Sequence, residues 1–173
     1  MGSLATPQAL LQRWNEVLRD PSLQDLPYKI ELNAWGKVEM SPASNRHGRL
    51  QAAISAELIR QLPAGVAISE CSILTRIGIR VPDVAWASPG FIALYGEITP
   101  YLRAPEICVE IISPSNVQAE IDEKKMAYFA AGAKQVWLVA EDGEVRFFDA
   151  GGERSKSGFP VALTLPPPAK GQP

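Results

Sequence analysis

Two acidic residues stand inside apolar stretches of the sequence that are typical of buried β-strands. Asp83 lies in the segment VPDVAW, and Glu110 lies in the segment ICVEIIS. An unpaired carboxylate is costly in such surroundings, so each acid needs a compensating cation or a polar neighbour. Taken alone, either acid could instead lie on a solvated face or pair with an arginine. The Pro-Asp dipeptide at Asp83 is also common at turns and strand edges.

Side chains alternate along a strand, so Glu110 should share a face with Cys108 and Ile112. The segment that follows has the spacing of a helix. Its apolar stripe consists of Val117, Ile121, Tyr128 and Ala131. Lys124 falls in the middle of that stripe, whereas Lys125 lies to its side. Lys124 therefore either finds a carboxylate partner on the sheet or extends its ammonium to water at the helix edge.

Two carboxylates from neighbouring strands and a lysine from the next helix suit phosphoryl chemistry. Carboxylates bind hard cations such as Mg²⁺, for which Mn²⁺ can substitute. The cation can polarise a phosphoryl oxygen and supply a nucleophilic water, and a lysine can orient that water or stabilise developing charge. This combination would explain why Glu110 is tolerated within an apolar strand.

The elements that must position these residues alternate between helices and strands. The patterns predict a helix, a hairpin, a second helix, several strands, a third helix and a last group of strands, with residues 89–105 mainly loop. This order indicates an α/β fold in which a mixed β-sheet is flanked by helices. The 173 residues suit one domain spanning residues 1–165, and the proline-rich residues 166–173 are expected to form a flexible C-terminal tail.

Bulk composition narrows the classes of function. The net charge is −2, so no global basic field indicates nucleic-acid coating, although an enzyme needs only a local basic patch. Cys71 and Cys108 lack metal-ligand spacing and are expected to be reduced, buried thiols. The N-terminus lacks the pattern of a secretion signal, and no apolar run reaches the 18 residues typical of a membrane span. A cytoplasmic location is therefore expected.

Several segments resemble the Uma-two family of restriction endonucleases, within the PD-(D/E)XK nuclease superfamily. The segments are EMSPASNRH, VPDVAW, VEIISPSN and EKKMAYFAAGAKQVWLV. The resemblance implies a restriction-endonuclease-like core in which Asp83 and Glu110 bind the metal and the backbone carbonyl of Ile111 is a further ligand. The parent pattern has its lysine at the position of Ile112. The resemblance implies that Lys124 of the following helix replaces it.

The resemblance also implies supporting residues around this site. They are an acid on the first hairpin, either Glu31 or Glu39, a histidine at the start of the second helix, His47, and Tyr128. A lone histidine at a helix start is more often a surface or capping residue. A phosphate-contacting patch could come from the arginines, although scattered arginines are usually solvated charge. These arginines are Arg46, Arg49, Arg76 and Arg80.

The sequence thus predicts a Mg²⁺-dependent endonuclease acting on duplex DNA. A homodimer is expected, because one such site cuts one strand and a symmetric pair suits both strands. Two alternatives remain open at this point. One is a non-catalytic module of the same fold that binds nucleic acid or protein, for which loss of the acids or of Lys124 should be neutral or stabilising. The other is a Mg²⁺-dependent phosphohydrolase that acts on small substrates.

Overall fold

The computed structural model describes residues 3–169, which form four α-helices and ten strands. The helices are α1 (Pro7–Arg19), α2 (Asn45–Gln61), α3 (Pro89–Tyr95) and α4 (Gln118–Ala131). The strands are β1 (Tyr28–Asn33), β2 (Val38–Pro42), β3 (Val66–Ser69), β4 (Ile73–Thr75), β5 (Gly78–Arg80), β6 (Val84–Ala87), β7 (Ile107–Ile112), β8 (Gln135–Ala140), β9 (Val145–Asp149) and β10 (Gly152–Arg154). The predicted α/β class is confirmed.

The strands form two sheets. A six-stranded sheet has the order β10-β9-β8-β7-β6-β3; its central pair β7 and β8 is parallel and the other neighbours are antiparallel. A four-stranded antiparallel sheet has the order β2-β1-β5-β4. The sequence pattern indicated one mixed sheet. Residues 66–80 instead divide into three strands, so that β3 joins the large sheet while the β4–β5 hairpin joins the small one.

Helices cover both faces of the large sheet, as the flanked-sheet architecture predicts. Leu50, Ile54 and Leu58 of α2 pack against one face. The other face packs against α3 and α4, with Tyr128 of α4 in the same apolar cluster as Cys108 of β7. The predicted alternation along β7 is therefore confirmed, and it directs the face that carries Glu110 towards α4. A separate cluster joins α1 to the small sheet.

Hydroxyl groups fix the start of three helices. Thr6, Ser44 and Ser88 each accept a hydrogen bond from a backbone N–H in the first turn of α1, α2 and α3. The third cap makes α3 a helix where the sequence pattern indicated mainly loop. At α4 the N-cap residue is Val117, which is 55% exposed, so the apolar face of this helix begins only at Ile121.

Three further expectations concern the tail, the cysteines and membrane association. The Arg46 side chain donates hydrogen bonds to the carbonyls of Pro166 and Pro167, while residues 170–173 lie outside the described part of the chain. The division into a domain at 1–165 and a flexible tail stays a prediction.

Cys71 and Cys108 are free and buried, and burial raises the pKa of the Cys71 thiol to about 12. Among the helices in residues 3–169, none is long and apolar enough to span a membrane.

Gly78 is the glycine on which the small sheet depends most. Its φ is +118°, and a Cβ there would lie 2.0 Å from the carbonyl oxygen of Leu32 on β1. We expect Gly78→Ala to lower the free energy of unfolding by at least about 2 kcal/mol, because both backbone strain and a clash result. Urea denaturation would measure this loss. The matched control is Gly48→Ala within α2, where nothing lies within 4 Å of the new Cβ and stability should be unchanged or slightly raised. Equal effects at both positions would contradict the prediction.

Candidate active site

Asp83 and Glu110 lie side by side on neighbouring strands of the large sheet. Asp83 immediately precedes β6, and its backbone N–H donates to the carbonyl of Val109 on β7. Glu110 is the next residue along β7. Their exposed fractions are only 2% and 9%, yet both border a cleft with a volume of about 960 Å³. Two largely buried acids thus meet at the wall of a cleft large enough for a ligand.

One oxygen of Asp83 is fixed by the backbone. Its Oδ2 accepts a hydrogen bond from the N–H of Ile111 at 2.7 Å. Its Oδ1 lies 2.8 Å from the ammonium nitrogen of Lys29 and 3.2 Å from Nε2 of His47. Burial alone would raise the pKa of this carboxyl, but His47 and Lys29 outweigh burial, so the pKa of Asp83 lies well below its ordinary value. Asp83 is therefore a carboxylate at neutral pH.

Glu110 shows the same division between its two oxygens. Its Oε1 accepts a hydrogen bond from the Tyr128 hydroxyl at 2.5 Å and lies 3.1 Å from the ammonium nitrogen of Lys124. Its Oε2 lies 3.4 Å from the ammonium of Lys29. Burial and the nearby Glu110 raise the pKa of Tyr128 well above its ordinary value, so the hydroxyl keeps its proton and remains a donor.

Lys124 faces the carboxylates, as its place in the helical stripe predicts. Its ammonium lies between Glu110 and Glu31, 2.9 Å from Oε1 of Glu31. Lys125 instead pairs with Asp122 and lies over the ring of Phe148. The structure thus separates two adjacent lysines into one that contacts the acids and one that does not.

Glu31 and Glu39 both border the cleft, at different depths. Glu31 is buried and accepts a hydrogen bond from the N–H of Val81 at 2.7 Å. Glu39 is exposed and contacts Arg80, which also reaches Glu31. Of these two acids, Glu31 forms an ion pair with Lys124, whereas Glu39 pairs with Arg80. The acid that adjoins the predicted site is therefore Glu31, while Glu39 lies at its rim.

His47 points into the site rather than to the surface. Its backbone N–H donates to the Ser44 hydroxyl, and its ring reaches Asp83 with only 17% of the side chain exposed.

The four arginines that the sequence suggested as a phosphate-contacting patch differ in their surroundings. Arg80 is engaged by two acids, Arg46 by backbone carbonyls, Arg49 lies on the exposed face of α2, and Arg76 borders the cleft. They do not form one patch.

The structure brings two further residues, Lys29 and Gln51, to Asp83, and the sequence patterns did not indicate them. Lys29 lies two residues before Glu31 on β1, so strand alternation from Glu31 was the signal that could have found it. The Gln51 side chain, one turn after His47 on α2, donates to the backbone carbonyl of Asp83 at 2.8 Å. Helical spacing from His47 would have indicated it.

The buried acids are balanced by an equal number of permanent cations. Glu31, Asp83 and Glu110 contact Lys29, Arg80 and Lys124. Burial opposes each charge, but the opposite charges outweigh it. The pKa of Glu31 therefore lies below its ordinary value, and the pKa of Lys29 lies well above its own. Without a bound ligand the cluster is already close to neutral.

These shifts predict how stability depends on pH. The pKa values of Asp83 and Glu31 are lowered from 3.8 and 4.5, so their ion pairs stabilise the fold above those values and are lost as the pH falls through the folded values. The pKa of Lys29 is raised from 10.5, so its contribution is complete below that pH and is lost on further alkalinisation. We expect the free energy of unfolding to decline below about pH 4.5.

Urea denaturation between pH 3 and pH 7 would measure this decline. Asp83→Asn should show a shallower decline than the wild type, because one carboxyl with a lowered pKa is gone. Asp142→Asn, in the exposed β8–β9 turn, is the matched control, because it removes a carboxylate that lies away from the site. An identical slope in all three proteins would show that the Asp83 ion pairs do not shape the profile.

The donor set suits a hard divalent cation. Asp83 and Glu110 offer carboxylate oxygens, and Mg²⁺ is usually held by one or two carboxylates while waters and substrate phosphates complete its shell. Within residues 3–169, no group of three or more His, Cys, Asp or Glu side chains is arranged as a complete metal site. Asp83 and Glu110 fit a Mg²⁺ ion whose shell is completed by water and substrate.

The mixed sheet flanked by helices, with an acid at each of two neighbouring strands, fits the restriction-endonuclease-like class of fold. The model of the Uma2 family, described as a putative restriction endonuclease, matches residues 14–169. The chain belongs to this family, and the resemblance found in the sequence is confirmed. Family membership places the protein among nucleases.

A solved structure supports the fold. The chain is similar to a putative nuclease belonging to DUF820 from Anabaena variabilis ATCC 29413, with 21% sequence identity and a TM-score of 0.57. The similarity covers 78% of this chain and 83% of that chain. No curated protein matches this chain.

Proposed function

We propose that this protein is a metal-dependent endonuclease that hydrolyses phosphodiester bonds in duplex DNA. Asp83 and Glu110 would hold Mg²⁺, or Mn²⁺ in its place, with the backbone carbonyl of Ile111 as a further ligand. One observation carries the proposal. Each acid has one oxygen fixed by a protein donor, and the other oxygens, Oδ1 and Oε2, both approach a single position, the one occupied by the Lys29 ammonium.

The surrounding residues have distinct roles in this proposal. When bound, Mg²⁺ supplies positive charge that polarises a phosphoryl oxygen and favours deprotonation of an attacking water. Lys124 assists that water and stabilises negative charge that develops on the phosphoryl group. Tyr128 and the N–H of Ile111 hold the two carboxylates in orientation, and His47 supports Asp83. Glu31 keeps the Lys124 ammonium beside Glu110.

The charge of the cleft supports a requirement for metal. Its lining has eight acidic side chains against four lysines and arginines. A nucleic acid backbone would be repelled by this excess, and bound divalent cations would reduce the repulsion. We propose that two copies of the chain act as a homodimer, so that each site cuts one strand of a duplex.

The same acidic lining favours a second candidate. A non-catalytic module of this fold would use the cleft to bind a basic protein segment, and the acids would need no metal. The two candidates differ in an observable way, because only the nuclease breaks covalent bonds.

Closed circular substrates test the proposal directly, since they have no ends for an exonuclease. Supercoiled plasmid, circular single-stranded DNA and a nucleotide diester would each be incubated with the protein and Mg²⁺ or EDTA. We expect Mg²⁺-dependent nicking of the plasmid, lost in Asp83→Asn. Hydrolysis of the nucleotide diester alone would indicate a small-substrate phosphohydrolase. Absence of hydrolysis in every arm would favour the binding module.

A further inference from the structure

The ammonium group of Lys29 bridges the two predicted metal-binding acids. Its nitrogen lies 2.8 Å from Oδ1 of Asp83 and 3.4 Å from Oε2 of Glu110, and only 15% of the side chain is exposed. Ile111 and Tyr128 hold the opposite oxygens, Oδ2 and Oε1, and His47 is a second contact of Oδ1 at 3.2 Å. The lysine therefore occupies the position at which a cation shared by both acids would be bound.

A divalent cation and this ammonium cannot share that position. Two positive groups within about 4 Å of each other repel strongly in a partly buried site. The cluster is also already balanced, since Glu31, Asp83 and Glu110 meet an equal number of lysine and arginine side chains. Adding two further charges without moving Lys29 would place uncompensated positive charge beside the Asp83 and Glu110 carboxylates.

The fold offers the displaced side chain a destination. Lys29 borders the main cleft and also a second groove with a volume of about 230 Å³. Glu70 borders both cavities and is exposed. If the Lys29 side chain rotated towards this groove, its ammonium would lose its contacts with the Asp83 and Glu110 carboxylates. It would instead contact water and the Glu70 carboxylate. Lys124 has a fixed partner in Glu31 and need not move.

We propose that Lys29 is an internal competitor for the metal, whose ammonium neutralises Asp83 and Glu110 until a divalent cation displaces it. This inference rests on the proposed metal-dependent function and adds a means of regulating the same site. Metal affinity would be lowered by the energy needed to break the Lys29 contacts. The enzyme would then bind the metal only under one of two conditions. Either the cation concentration is high enough to offset the loss of these contacts, or a substrate phosphate binds the cation as well.

Isothermal titration with Mn²⁺ tests the competition. Lys29→Met should bind Mn²⁺ at least ten times more tightly than the wild type, because the competing charge is gone. Lys125→Met is the matched control, since it removes a lysine that contacts neither acid, and its affinity should equal that of the wild type. Asp83→Asn should abolish the tight binding, and this loss would show that the measured heat arises from Mn²⁺ binding at this site.

A second measurement uses the wild-type protein and does not depend on the variant folding. Lysine acylation followed by mass spectrometry would be compared with and without saturating Mn²⁺. Displacement predicts that Lys29 becomes several-fold more reactive with Mn²⁺, while Lys125 does not change. Unchanged or reduced Lys29 reactivity would overturn the inference.

The outcomes separate this inference from the function on which it rests. Equal Mn²⁺ affinity in the wild type and Lys29→Met would overturn the competition but leave the metal site standing. No Mn²⁺ binding by either folded protein would overturn both.

Discussion

Replacing Lys124 by methionine is expected to lower the rate of DNA cleavage at least ~100-fold, the usual effect of removing a preorganised charge from a site of phosphoryl transfer. The ammonium lies 3.1 Å from Glu110 and 2.9 Å from Glu31, and among the lysines that the structure describes no other pairs with Glu31. Methionine preserves most of the length and apolar contact of the stem. The loss should therefore be of charge rather than of packing.

Lys125→Met provides the matched control for this prediction. It lies on the same helix, one residue away, and contacts Asp122 and Phe148 instead of the site. We expect its cleavage rate to remain within about twofold of the wild type, since it pairs with the half-exposed Asp122 rather than with a site acid, and such a pair contributes little. Initial rates of plasmid nicking would be compared at equal concentrations of folded protein. Equal losses in the two variants would contradict a specific role for Lys124.

The second large effect concerns stability. Asp83→Asn is expected to lower the free energy of unfolding by about 3 kcal/mol, because it leaves the partly buried Lys29 ammonium with one carboxylate fewer. Asp83 contacts Lys29, His47 and the N–H of Ile111, and it is 2% exposed. Adding Lys29→Met to this variant should recover part of the loss, because the uncompensated charge is then removed as well.

A double-mutant cycle measures that recovery. Urea denaturation of the wild type, both single variants and the double variant would give the coupling free energy between Asp83 and Lys29. We expect a coupling of about 2 kcal/mol, the range found for contacting charged groups. Strict additivity of the two single effects would show that the pair does not interact as its 2.8 Å distance indicates.

These ion pairs also change how the rival functions can be told apart. The sequence alone suggested that loss of the acids or of Lys124 would be neutral or stabilising in a non-catalytic module. In the structure each acid neutralises a partly buried cation, so its removal should destabilise the protein whatever the function. Stability therefore does not separate an enzyme from a binding module here, whereas metal binding and bond cleavage do.

The parts of the site that sequence predicted depend on local periodicity. Alternation along β7 assigns Glu110 to the face that carries Cys108, and the helical stripe selects Lys124 over Lys125. Both rules use residues fewer than eight positions apart. The structure places these residues together with Asp83, although their catalytic roles stay predictions.

The parts that sequence left open depend on pairing between distant segments. Glu31 and Glu39 are direct cross-strand partners in the β1–β2 hairpin, so alternation puts both on one face and cannot choose between them. The order of the strands distinguishes the two acids. Glu31 is on β1, which lies inside the small sheet next to β5, whereas Glu39 is on β2, which lies at the edge of that sheet. Lys29 was missed for a similar reason, since its partner Asp83 is 54 residues away on the other sheet.

The measurement that tests the central claim most directly is nicking of supercoiled plasmid over a Mg²⁺ titration, with purified wild type and Asp83→Asn side by side and EDTA as the blank. We predict relaxed circles whose rate of formation rises with Mg²⁺ in the wild type, with no product in EDTA and none from a folded Asp83→Asn protein. Equal nicking by both proteins would contradict the claim, because the activity would then not arise at the carboxylate pair.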